Sequence, residues 1–237
     1  MTTAFQIERM KAIEADFKKA SGLPDRRHYK IFYSPVFQAE LLILGLQPRG
    51  KPADFSADAT HDFARNLPSA ASAGFYEGGE NDILDCEWAF AKGVRVLISS
   101  GLFPDLDSFR ANVVVSNLSF VRRDAVNQND LRADLGLSRS GIAEIATAVS
   151  PKAILTTFDF KKHPIAGLTD LAVSSRTVEA GVEQLILQSG SALLDGRRIS
   201  LFGVAHPSRF DWIYLKNQVG SLIRQHLGEV VIRSGGR

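Results

Sequence analysis

The chain of 237 residues has one cysteine, Cys86, and no apolar run that approaches the roughly 18 residues of a membrane-spanning helix. A single cysteine excludes an internal disulfide framework and a four-cysteine zinc or iron–sulfur site within one chain. The first 19 residues are polar and charged, without the apolar core of a signal peptide. These absences predict a cytoplasmic protein with no membrane association.

The chain also lacks a strong charge of one sign. It has 28 Lys and Arg against 26 Asp and Glu, which leaves a net charge of +2. This mildly basic balance permits a nucleic-acid partner without requiring one. Hydrophobic residues make up 45% of the chain, enough for a substantial core, and there is no repeat, low-complexity tract or linker. We therefore expect one domain over residues 1–237, present as a monomer.

Four short apolar segments are interpreted as buried strands, at residues 41–45, 112–116, 153–157 and 199–204. Apolar residues at helical spacing predict helices over residues 7–17, 81–101, 138–149, 178–189 and 212–226. Strands that alternate with helices are typical of a parallel sheet covered on both faces. The predicted fold is a three-layer α/β/α sandwich with a central, mainly parallel four-stranded sheet.

Polar side chains follow two of these strands abruptly. The first strand runs into Gln47 and Pro48, and the last runs into His206, Pro207 and Ser208. The carboxyl ends of parallel strands meet at one edge of a sheet, where ligands bind in this class of fold. We therefore expect both turns to face the same small molecule.

Four motifs along the chain resemble, in type and order, those of the uracil-DNA glycosylase superfamily. They are Gly45-Leu46-Gln47-Pro48-Arg49-Gly50, Val113-Val114-Val115-Ser116-Asn117, Ser150-Pro151-Lys152-Ala153-Ile154-Leu155 and Ala205-His206-Pro207-Ser208. The resemblance implies an enzyme that flips uracil or a related damaged base out of DNA and hydrolyses its N-glycosidic bond. It implies DNA as the partner, and neither a cofactor nor a metal.

The chemistry of this reaction suits the residues at the strand ends. Cleavage leaves an anionic base, which His206 can stabilise by donating a hydrogen bond to a base carbonyl. Asn117 carries a donor and an acceptor on one amide and can read a Watson–Crick edge. The resemblance implies these same two roles, and places Gln47 where a residue holds the attacking water.

Further site residues follow from the same motifs. Substrate contacts are expected from Gly45, Leu46, Pro48 and Phe63, with Phe63 stacking on the base. DNA contacts are expected from Pro207, Ser208, Arg209 and Phe210. The alternative for Phe210 is a core position, because a predicted apolar helix face follows it directly.

Gln47 departs from the pattern of the superfamily, which commonly has Asp or Asn at this position. A neutral amide orients a water but cannot act as a general base, and Arg49 replaces a residue that is often small or aromatic. The main alternative is therefore a protein of the same fold that binds a base, a nucleotide or DNA without turnover. A hydrolase unrelated to DNA is a weaker alternative, since the chain has no Gly-x-Ser-x-Gly motif.

Overall fold

A computed structural model describes residues 4–34, 36–48, 50, 92–93, 95–96, 103, 106–125, 127–180 and 183–206. Its helices and strands, in chain order, are α1 (Ala4–Ser21), β1 (Leu41–Gly45), α2 (Leu106–Asn112), β2 (Val113–Asn117), α3 (Gln128–Val149), β3 (Ala153–Thr156), β4 (Leu168–Ala180), β5 (Glu183–Leu194) and β6 (Arg197–Gly203). Over these residues, no helix is both long and apolar enough to span a membrane.

The strands form one mixed sheet in the order β2-β1-β3-β6-β5-β4. Strands β2, β1, β3 and β6 are parallel to one another, and they are the four strands that the apolar segments predict. Strands β5 and β4 are antiparallel to their neighbours. The α/β class is thus confirmed, while the sheet is a six-stranded mixed sheet rather than the four-stranded, mainly parallel one expected.

The parallel strands form the centre of the core. All residues of β1, β2 and β3 are buried, as expected for strands covered on both faces. The side chains predicted to be buried are at most 1% exposed: Leu42, Leu44, Val113, Val115, Ile154, Leu155, Leu201 and Phe202.

The prediction of a helix over residues 178–189 is wrong, because residues 178–180 belong to β4 and residues 183–189 belong to β5. Their apolar positions also fit a helical spacing, so periodicity alone misassigns them. The two strands pair with each other, which satisfies their backbone donors and acceptors, and from Gln188 onward β5 also pairs with β6. Gly190 permits the close approach of β4: a Cβ there would lie 2.2 Å from the Ala172 carbonyl oxygen.

The predicted helix over residues 138–149 is real but begins earlier, at Gln128. Asn127 caps α3, and its side chain accepts a hydrogen bond from the Asn129 amide at 3.0 Å. Ser138 therefore lies in the helix interior, where it is buried. Its hydroxyl donates to the Asp134 carbonyl at 2.8 Å and accepts from the Phe120 amide at 2.9 Å. This contact links α3 to the segment that follows β2.

The first predicted helix is confirmed as α1, which packs against α3. Glu14 on α1 accepts two hydrogen bonds from Arg26, at 2.6 and 2.7 Å, and one from the Tyr29 hydroxyl at 2.9 Å. This partly buried ion pair joins α1 to the chain that leads into the sheet.

Two other predicted helices fall mostly or wholly on residues that the structure does not describe. The helix over residues 212–226 lies outside the described residues, as does most of the helix over residues 81–101.

Candidate functional site

The parallel strands end in register, so their carboxyl ends lie side by side along one edge of the sheet. Gly45 pairs with Asn117, and Leu44 pairs with Thr156, which in turn pairs with Gly203. The pairing continues past the strand ends, where the Leu118 amide donates to the Gly45 carbonyl at 2.8 Å. The residues that follow β1, β2, β3 and β6 therefore meet at one edge of the sheet.

Gln47 and His206 extend from this edge on either side of β3. Each lies two or three residues past its strand, and only β3 separates β1 from β6. Neighbouring strands are about 4.8 Å apart, so the ends of β1 and β6 are separated by roughly 10 Å. That Gln47, Asn117 and His206 together line one pocket stays a prediction.

The segment after β1 is held beside the segment after β2. The Ser119 amide donates to the Leu46 carbonyl at 2.9 Å, and the Arg123 amide donates to the Pro48 carbonyl at 3.2 Å. Pro48 is buried and Leu46 is half-buried. The backbone around Gln47 is thus fixed by the sheet.

Asn117 turns its side chain over Gly45. A Cβ on residue 45 would lie 2.2 Å from Asn117 Oδ1, so the glycine leaves the space that this amide occupies. Asn117 is only 7% exposed, and its Nδ2 makes no hydrogen bond of normal length and angle within the described part of the chain. A buried amide donor of this kind is available to a ligand carbonyl.

Tyr33 is a half-buried neighbour of this amide. Burial raises the pKa of the Tyr33 phenol above its ordinary value of 10, and the nearby Arg122 and Asn117 oppose the rise. The phenol is therefore neutral at physiological pH. Its hydroxyl can both donate and accept beside Asn117.

Gln47 has a charged partner that the motifs do not include. Its Nε2 donates to Oδ2 of Asp134 on α3 at 2.9 Å. Arg123 donates to the same carboxylate through Nε at 2.9 Å and Nη2 at 2.8 Å. The hydrogen bonds to Asp134 raise the pKa of Arg123.

Two further buried polar atoms lie at the same edge. Gln47 Oε1 and the hydroxyl of Thr157 have no hydrogen-bond partner among residues that the structure describes. Thr157 directly follows β3, between the turns that carry Gln47 and His206, and is 4% exposed. Buried polar atoms are normally paired, so these two are candidates for hydrogen bonds to a ligand or to water.

The turn after β3 lies next to the end of β6, which leads to His206, and hydrogen bonds to β5 hold this turn in place. Asp159 accepts hydrogen bonds from Gln188 Nε2 at 2.7 Å and from the amides of Lys161 and Lys162. Burial raises the pKa of Asp159, but these bonds outweigh it and hold the pKa below 3.8. Gln188 in turn accepts from the Phe160 amide at 3.1 Å, which braces the turn against β5. His206 itself is half-buried.

The third motif lies at the opposite edge of the sheet. Ser150 ends α3 in a left-handed conformation, and Arg197 donates to its carbonyl oxygen at 2.7 Å and to its hydroxyl at 2.8 Å. Lys152 forms an ion pair with Glu40 at 2.6 Å. Because these residues precede β3, their role is to join α3 to the sheet.

Several predicted site residues cannot be placed relative to this edge. The candidate stacking residue Phe63 lies outside the described residues, as do Arg49 and the four predicted DNA contacts: Pro207, Ser208, Arg209 and Phe210. Gly45, Leu46, Gln47, Pro48, Asn117 and His206 are described, and all lie at the carboxyl ends of β1, β2 and β6.

Sequence reasoning missed Asp134, Arg123 and Thr157. A carboxylate within a helix gives no local signal of its role, since most such residues face solvent. Thr157 had a usable signal, because it follows a buried strand in the same way as Gln47 and Asn117. Within the described ranges, no cluster of His, Cys, Asp or Glu is arranged to hold a metal ion.

No family model and no curated protein matches this chain. The functional assignment therefore rests on the geometry of the site and on the motifs that the site contains.

Proposed function

We propose that the protein is a DNA glycosylase-like enzyme that hydrolyses the N-glycosidic bond of uracil or a related damaged base. One observation carries this proposal: Gln47, Asn117 and His206 follow parallel strands of one sheet, at the same edge, in the spatial order β2-β1-β3-β6. The proposal includes DNA as the partner, a cytoplasmic location and the three-layer arrangement that the resemblance implies.

Each group has a chemical role in this proposal. Asn117 Nδ2 donates to a carbonyl of the flipped base, and His206 donates to a base carbonyl as negative charge develops there. Gln47 Oε1 accepts a hydrogen bond from a water or from the ligand. Gln47 Oε1, which is buried and has no hydrogen-bond partner as far as the described residues go, supports a polar ligand at this edge.

A binding protein without turnover is the second candidate, and one contact favours it. Gln47 is neutral and its Nε2 is already bonded to Asp134, so it has no capacity to remove a proton from water. In this alternative the same edge binds a base, a nucleotide or DNA, and no bond is broken.

A panel of oligonucleotides tests both candidates. The pure protein is incubated with single- and double-stranded DNA carrying uracil, hypoxanthine, xanthine or mismatched thymine, and abasic sites are detected by alkaline cleavage. Cleavage at one lesion supports the glycosylase. Binding without cleavage, weakened by rising salt as phosphate contacts require, supports the second candidate. Neither cleavage nor binding rejects both.

A further inference from the structure

The charge of Asp134 decides which end of the Gln47 amide meets the carboxylate. A carboxylate only accepts hydrogen bonds, so Gln47 must turn its amino group toward Asp134 Oδ2, at 2.9 Å. The Gln47 carbonyl oxygen then points away from Asp134. Free rotation would otherwise allow this amide to present either its donor or its acceptor.

Asp134 is itself held in one orientation. Its side chain is 2% exposed, and Arg123 donates to both carboxylate oxygens. The backbone carbonyl of Asp134 also accepts the Ser138 hydroxyl at 2.8 Å, which links it to the segment after β2. The Gln47 amide is therefore positioned by a rigid carboxylate.

We propose that Asp134 is a positioning residue that makes Gln47 a fixed hydrogen-bond acceptor in the site. The ligand group that meets Gln47 Oε1 must then be a donor, either the attacking water or an N–H of the bound base. This inference rests on the proposed function. Its support is that Gln47 Oε1 is buried and has no partner in the part of the chain that the structure describes.

The contacts of Asp134 argue against a direct role as a general base. Both of its oxygens already accept hydrogen bonds, from Arg123 and from Gln47, and its side chain is buried. Asp134 thus acts through Gln47 rather than on the reacting atoms.

The substitution Asp134→Asn loosens the hold on the Gln47 amide. Arg123 donates to both carboxylate oxygens and Gln47 donates to Oδ2, whereas an asparagine has only one oxygen to accept these bonds. In either orientation its amino group faces a donor of Arg123. The Gln47 amide is then no longer held with its oxygen toward the site, with almost no change of side-chain volume.

A first measurement needs no substrate. In ¹⁵N NMR of the full chain, the Gln47 side-chain amide is assigned by its loss in Gln47→Ala. We expect its protons to exchange slowly with solvent in the wild type and much faster in Asp134→Asn. The same exchange rate in both proteins would overturn the proposal.

A second measurement is a double-mutant cycle on the uracil oligonucleotide. Asp134→Asn should reduce turnover or binding by about 10- to 100-fold, the typical effect of a hydrogen bond to a charged group. In a Gln47→Ala background it should have no further effect, because it acts only through Gln47. Equal losses in both backgrounds would overturn the proposal.

The kinetic constants identify the donor. A loss confined to kcat indicates the attacking water, and a loss in KM or in the binding of free uracil indicates a base N–H. Both results support the proposal. If no probe is cleaved or bound, the proposed function fails, and the amide exchange alone decides the role of Asp134.

Glu14→Gln is the matched control. It removes the charge of another partly buried carboxylate that is held by an arginine, Arg26, between α1 and the chain before the sheet. We expect it to lower stability without changing Gln47 amide exchange. A change of that exchange as large as in Asp134→Asn would indicate a general loss of rigidity and would overturn the proposal.

Discussion

The side-chain oxygen of Asn117 occupies the space that a β carbon on residue 45 would need. The two residues are paired across β1 and β2, and the distance from that carbon to Oδ1 would be 2.2 Å. The glycine that ends β1 therefore determines where the amide at the end of β2 can lie. The first and second sequence motifs therefore contact each other directly through these two residues.

Gly45→Ala should displace the Asn117 amide and reduce binding of a uracil probe. The added carbon also lies 3.4 Å from Asn117 Cγ, so the side chain has to rotate away. Overpacking of this kind costs about 1–3 kcal/mol of folding stability. Urea denaturation and titration with the probe measure the two effects.

Gly136→Ala provides the control for this substitution. Gly136 lies within α3 with nothing within 4 Å of the added carbon. We expect it to stabilise the protein by up to about 1 kcal/mol and to leave binding unchanged. Unchanged binding in Gly45→Ala would show that the position of Asn117 is irrelevant to the ligand.

His206→Ala should reduce turnover of the cleaved lesion by about 10²- to 10³-fold, mostly in kcat, as for the loss of one preorganised donor. Gln47→Ala should lose less, because a neutral amide only orients its partner. Asn117→Ala should also relax the choice between bases. Single-turnover kinetics on the oligonucleotide panel measure all three. Full activity of His206→Ala would remove this residue from the mechanism.

Gly190→Ala tests the hairpin that replaced the predicted helix. The added carbon would lie 2.2 Å from the Ala172 carbonyl oxygen, which is backbone and cannot rotate away. We expect a loss of about 1–3 kcal/mol and faster hydrogen exchange along β4 and β5. Unchanged stability would contradict the close approach of β4 to Gly190.

His163 should make stability depend on pH near neutrality. Burial lowers its pKa below 6.5; Asp159 opposes this shift and Lys162 adds to it. The unfolded chain then takes up a proton at a higher pH than the folded protein does. Stability should therefore be greatest above pH 6.5 and decrease as the pH falls through the folded pKa.

Urea denaturation above and below pH 6.5 in wild type and His163→Gln measures this contribution. The free energy of unfolding of His163→Gln should decrease less than that of the wild type as the pH falls. Asp159 does not interfere, because its lowered pKa places its own loss of stability below pH 3.8. Identical curves for both proteins would show that His163 titrates in the same way when folded and unfolded.

The central strands and the ends of those strands could be predicted from the sequence. A run such as Leu41–Gly45, apolar throughout and stopped by Gly and Pro, carries its own signal, because burial on both faces favours a nearly continuous apolar run. The positions of Gln47, Asn117 and His206 at one edge follow from that signal and from the parallel direction of the strands.

The tertiary structure alone decided the hairpin and the partner of Gln47. Residues 178–189 fit both a helix and a strand by apolar spacing, and the pairing of β4 with β5, which extends from residue 168 to residue 194, decides between them. The contact between Gln47 and Asp134 joins residues 87 positions apart. Such a pair depends on how α3 packs on the sheet, which a local sequence pattern does not encode.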